Sequence, residues 1–327
     1  MPHLALIQRL ILTALLGGAV GTAAAAVWWY AGRDRLRALP PTPRLRRLVA
    51  LAALPLVGAV ALTGVALLPS VLHAAGIAAD HCGAHPSPHV HLCLVHAGHG
   101  HASSLAWIGI GAAAVWLGLR ASPIVGEWVR ASRQLAELRA SSRYDADQEA
   151  WVVASEFPFA MAVGLAVPRV LVSDGLRAAL SDEHMAVVRA HEQVHARRRH
   201  TLLQALAELV AILHVPAVRG WLSDEIELAC EQIADRQAAR ESEGVVEVAD
   251  AIVHVEKLVR SSGTRQTLRT AIDGNELERR VVGLLDDPWE RSPRAPEALA
   301  AVGTAILLVY SYDVVHHGLE TLFSVIL

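Results

Sequence analysis

The sequence predicts a mainly α integral membrane protein with four transmembrane helices and one α+β soluble domain. Three observations carry this reading. The 327-residue chain is 53% apolar with a mean hydropathy of +0.36, above the globular norm. Four stretches have the length and apolarity of spans, at 10–30, 48–72, 105–119 with an extension to 125, and 298–312. Between the third and fourth lies a long charged segment of helical pattern, with short valine-rich runs at 149–155 and 169–173 that read as strands.

Taken in order, the first span is too long for a cleaved leader. It ends on Trp28, Trp29 and Tyr30, the residue types of an interfacial belt, so it is read as retained. The following loop carries Arg33, Arg35, Arg37, Arg44, Arg46 and Arg47, whereas 74–104 holds neither Lys nor Arg. Basic loops stay on the cytoplasmic side. The N-terminus and the 74–104 loop are therefore expected to face outward, and 121–295 to form a cytoplasmic domain, in keeping with Arg130, Arg133, Arg139 and Arg143. Residues 1–120 then make three helices, and 296–327 a fourth helix with a short outward tail that lies along the outer surface or packs on the bundle. The apolar run 202–218 tempts a fifth span. A crossing there would separate downstream residues from those upstream, so it is read as a buried or membrane-skimming helix. A net charge of −3 gives no reason to expect nucleic acid as a partner.

Within 181–213, a helical run without Pro or Gly, stand His191-Glu192-Gln193-Val194-His195. In this H-E-x-x-H pattern the histidines fall at i and i+4 on one helix face and can converge on one zinc ion, with Glu192 as general base. Catalytic zinc takes three protein ligands. The helical stretch 224–240 supplies candidates, of which Glu231 is preferred and Glu227, one turn earlier, is the alternative. Asp235, at i+4 from Glu231, is placed to orient a metal-bound imidazole. His200 and Arg197-Arg198-Arg199 read as a solvated or membrane-proximal basic face, outside the site.

The outward loop holds Cys82, His85, His89, His91, Cys93 and His96, with further histidines around them. Two readings stand: a transition-metal site of His and Cys ligands, or a Cys82–Cys93 disulfide with solvated histidines.

The segments PRVLVSDGLRAAL (168–180), HEQVHARRRH (191–200), ELACEQIAD (227–235) and ELERRVVGLL (276–285) together resemble the BlaR/MecR-type antirepressor family of bacterial integral-membrane zinc metallopeptidases, over about 157–288. The resemblance implies a zincin-like, HExxH gluzincin-type α+β domain, one catalytic Zn2+, a multi-pass location in the bacterial inner membrane, and a protein substrate, in that family a transcriptional repressor. Its third-ligand segment maps onto Glu231 to Asp235, or onto Glu227 to Glu231 in a second alignment. Well-known members carry a Ser-x-x-Lys β-lactam sensor. The single lysine here, Lys257, has no serine three residues before it, so no such sensor is expected in this chain. Two further functions are weighed: a metal-sensing or signalling protein without turnover, and a quality-control peptidase of membrane proteins. A zincin also needs an edge strand for its substrate, for which 170–173 or 151–154 is the sequence's candidate.

Overall fold

The computed structural model describes residues 2–79, 92–94, 102–242, 244–261, 274–285 and 310–326. Three long helices come first: α1 (Pro2–Arg37), α2 (Pro41–Ala74) and α3 (Ser104–Ala140). Each is long and apolar enough to cross a membrane. α1 and α2 pack antiparallel along their length. A Cβ added at Gly17 or Gly21 would run into the α2 backbone at Gly58 or Leu54, so the i, i+4 glycines set how closely the two helices approach. Most of the predicted fourth span, 298–309, lies outside the described residues. The C-terminal helix α10 (Tyr312–Ile326) packs on α2, burying Leu319 and Phe323 against Ala66 and Leu92.

α3 runs on without a break through residue 120 to a small mixed sheet of β1 (Ser142–Asp145), β2 (Ala150–Val153), β3 (Ala160–Val163) and β4 (Arg169–Ser173), in the order β1-β2-β4-β3. β2 and β4 pair in parallel at the centre, and the two edges are antiparallel. The two valine-rich runs are thus interior strands, with Val152, Val153, Leu171 and Val172 buried. Neither can be the free edge the sequence suggested. That edge belongs to β1 and β3, which the sequence reading left unassigned.

Helix α4 (Asp174–Ala179) starts at Ser173, whose Oγ accepts from the Leu176 N–H at 3.1 Å and from the Phe159 N–H at 2.9 Å, tying the start of β3 to the end of β4. α5 (Asp182–Arg198) opens with Ser181 as N-cap and Asp182 and Glu183 in its first turn, and closes on Arg197 and Arg198. The run read as one helix to residue 213 breaks here. Arg199 takes a left-handed conformation, φ 54°, and α6 (His200–Ala211) departs in a new direction. α7 (Pro216–Glu241), α8 (Val245–Ser261) and α9 (Gly274–Leu285) complete the described domain.

One apolar core joins α1 and α2 to this domain. Ala25, Leu36, Leu48, Leu51 and Ala52 from α1 and α2 pack with Val194 of α5, Ala207 of α6, and Val218, Leu222, Ile226, Ala229 and Ile233 of α7. Val194 lies inside the HEQVH motif itself, so the site is built directly on the ends of α1 and α2.

Candidate metal centre and cleft

α5 presents His191 and His195 on the face that meets α7, and α7 brings Glu231 opposite. The His191 and His195 Nε2 atoms stand 3.1 Å apart. Glu231 places Oε2 3.3 Å from His191 Nε2 and Oε1 3.4 Å from His195 Nε2. Ligands at zinc-bond distances of about 2.0–2.1 Å in a tetrahedron are about 3.3 Å from one another. The two Nε2 atoms, and each Nε2 with its own Glu231 oxygen, are spaced on that scale, and these residues could hold a metal ion. Glu227 lines the adjoining cavity without joining the trio.

Electrostatics point the same way. Burial opposes a charge on His191, yet Asp235 and Glu231 raise its pKa to about 10. The two carboxylates thus make this spot strongly favourable to positive charge. Burial lowers His195 to about 4, leaving a neutral imidazole with a lone pair to give. Burial also opposes ionisation of Glu231, but Arg280 and the two histidines overcome it and hold the carboxyl well below its ordinary value.

Around the trio lies a second layer of partners. Asp235, 1% exposed, accepts from His191 Nδ1 at 2.9 Å and so directs the opposite nitrogen toward Glu231. Arg280 of α9 clamps Asp235 through Nε at 2.9 Å and Nη2 at 2.7 Å, and reaches Glu231 through Nη1 at 3.0 Å. Sequence reasoning assigned Arg280 no role. Its signal was an arginine pair inside a segment quoted only for resemblance.

His200 corrects the sequence reading outright. It is 2% exposed, not solvated, and its Nδ1 lies 3.2 Å from His195 Nδ1. The left-handed turn at Arg199 swings it back onto the metal helix, while Arg197, Arg198 and Arg199 remain exposed. If His195 gives Nε2 to a metal, its Nδ1–H donates to His200, which fixes the tautomers of both rings.

Glu192 lines the same cleft and accepts from the Ala162 N–H. Burial raises its pKa, which makes it a better proton acceptor than a solvated carboxylate. The cleft encloses about 800 Å³ between β3, α5, α8 and α9, with Phe159, Met161, Val188, Ile252 and Val255 among its apolar walls. Of the candidates between α2 and α3, Cys93 is buried, and Cys82, His85, His89, His91 and His96 lie outside the described residues.

Residues 127–255 match the profile of peptidase family M48. The matched stretch starts within α3 and carries the sheet, both histidines, Glu192, Glu231, Asp235 and most of α8. Arg280 lies beyond it. M48 peptidases are metal-dependent, typically on zinc, so the match indicates a metallopeptidase, and the three apolar helices are compatible with membrane association. The M48 profile does not single out the antirepressor group that the sequence motifs resemble. No curated protein and no solved structure matches the chain.

Proposed function

We propose that this chain is a membrane-anchored zinc endopeptidase, with its cleft on the cytoplasmic side of a bacterial inner membrane. The observation that carries the reading is the donor triangle of His191, His195 and Glu231, with Glu192 beside it in an open cleft. These three residues would hold Zn2+, which when bound acidifies water and polarises the scissile carbonyl. Glu192 takes the proton from the attacking water and returns it to the leaving amine. Asp235, Arg280 and His200 keep the three donors aimed.

β3 supplies the rail for substrate. Phe159 and the alternate residues of β3 bond to β4, as the Ser173 N–H to Phe159 O bond of 3.0 Å marks, so Ala160 and Ala162 turn their backbone groups toward the cleft. Ala162 spends its pair on Glu192 and on the Thr201 hydroxyl, 3.2 Å from its carbonyl oxygen. Ala160 remains for an extended peptide, which would add antiparallel or parallel to this edge. The motif resemblance favours a transcriptional repressor as that substrate.

Co-expression with candidate repressors tests the proposal. Fragments are expected with the unsubstituted chain and absent with Glu192→Gln. Equal fragments from both would remove the peptidase assignment.

A further inference from the structure

The corner between α6 and α7 does not sit at the edge of the membrane helices. It reaches well up alongside them. His214, fully buried, donates Nε2–H to the Ala52 carbonyl at 3.0 Å, and the Thr22 hydroxyl donates to the Leu213 carbonyl at 3.2 Å. Thr22 is seven residues inside Trp29, the middle of the aromatic belt that ends the apolar run of α1. At 1.5 Å per residue the corner is therefore about 10 Å inside that belt. Val218 and Leu222 continue the contact down α2, against Leu48, Leu51 and Ala52.

The rest of the hairpin is built for the same depth. Its outer face shows Leu206, Leu209 and Val215, which are 53%, 40% and 46% exposed, and Leu56, Val57 and Val60 of α2 are exposed as well. Its charged pair is only partly exposed and neutralised internally, with Arg219 Nη2 3.6 Å from Glu208 Oε1. Part of the corner's backbone is paired locally: the N–H groups of Ile212, Leu213 and His214 donate to Leu209, Val210 and Ala211, and Pro216 has no N–H to satisfy. Irregular backbone at membrane depth needs partners of this kind within the protein.

We propose that the α6–α7 corner is a re-entrant element inserted among the lipid acyl chains alongside α1 and α2, seating the metal centre at the headgroup layer. The length of α6 fixes the second part. Twelve residues span about 18 Å, so with its tip about 10 Å inside the belt, its start at His200 lies no more than about 8 Å beyond it. His195 touches His200 there. Resting on the peptidase reading above, this makes the substrate class a polypeptide segment within a few residues of a membrane anchor, since such segments dwell at that depth.

The test uses the full, unsubstituted chain in phosphatidylcholine–phosphatidylglycerol vesicles containing a phospholipid with a diazirine at its acyl-chain end. Mass spectrometry should find adducts within 202–215, as within 56–60 of α2, and none in the β1–β2 hairpin. Adducts on α2 with none in 202–215 would overturn the proposal. A nitroxide on Leu209→Cys, in a chain whose three cysteines are alanine, gives the depth. Oxygen should reach it several-fold more readily than a water-soluble nickel chelate, as for Val60→Cys. The reverse order, expected for Val246→Cys on α8, would overturn insertion, as would exclusion of both reagents by protein covering the face. Neither readout depends on turnover, and both are repeated in Glu192→Gln, so insertion and the peptidase reading fail separately.

Discussion

Asp235→Asn probes the wiring beneath the three donors with almost no change of shape. Asp235 Oδ1 accepts from His191 Nδ1 at 2.9 Å and from Arg280 Nη2 at 2.7 Å, while Oδ2 accepts from Arg280 Nε at 2.9 Å. An amide can keep its oxygen in the Oδ1 position, but its NH2 group then meets the Arg280 Nε–H, donor against donor. One charge-assisted hydrogen bond is lost, about 1.5–3 kcal/mol, and the charge that neutralises a buried guanidinium goes with it. Removing one member of a buried pair costs about 3–5 kcal/mol, and Glu231, still in contact with Arg280, places this case at the lower end. The effect on the metal is separate: a neutral amide oxygen accepts from His191 Nδ1 more weakly than the carboxylate does, and substitution of such a partner lowers metal affinity about 10–100-fold. Zinc affinity is measured by chelator competition on the purified chain, with thermal unfolding in parallel. A variant that binds zinc within twofold of the unsubstituted chain would refute the claim that the Asp235 charge strengthens His191 as a ligand.

Further expectations concern the cleft and the base of the fold. Ala160→Pro removes one outward N–H from an edge strand that tolerates proline, so cleavage at limiting substrate should fall about tenfold with the melting temperature nearly unchanged. His200→Ala should lower activity about 10–100-fold, with recovery in His200→Asn, which restores a hydrogen-bonding partner for His195; equal loss in both would show that shape alone matters there. Glu225 links α7 to α1 and α9, accepting from Arg37 at 2.8 Å and Arg279 at 2.9 Å. Burial opposes its ionisation, but those arginines hold its pKa below the ordinary value. A lowered carboxyl stabilises the fold above its unfolded pKa of about 4.3 and loses that contribution as pH falls through the folded value. The melting-temperature advantage of the unsubstituted chain over Glu225→Gln should therefore be full at pH 7 and shrink below about pH 4.3.

What could be read from the residues followed from periodicity. The i, i+4 histidines needed only a helix without Pro or Gly, and the face shared by Glu231 and Asp235 needed only a second helix. The membrane helices follow from apolar length. β3 could not be read in the same way: Ala-Met-Ala-Val is too short and too weak in strand-forming residues to stand out between Pro158 and Gly164. The break at Arg199 had no local cause either, since a non-glycine residue holds φ 54° only because His200 and the apolar face of α6 are buried by tertiary contacts. His200 and Arg280 escaped notice because their roles arise from partners distant in sequence. The depth of the 202–218 run was undecided for the same reason, its hydrogen-bond partners Thr22 and Ala52 lying more than 150 positions away.

Metal content of the purified full chain decides whether the three donors hold an ion. One zinc per chain is expected, retained in Glu192→Gln and lost in both His195→Ala and Glu231→Gln, with all four chains folded by thermal unfolding. Zinc retained at full stoichiometry in Glu231→Gln, or absent from the folded unsubstituted chain under zinc-replete conditions, would contradict it.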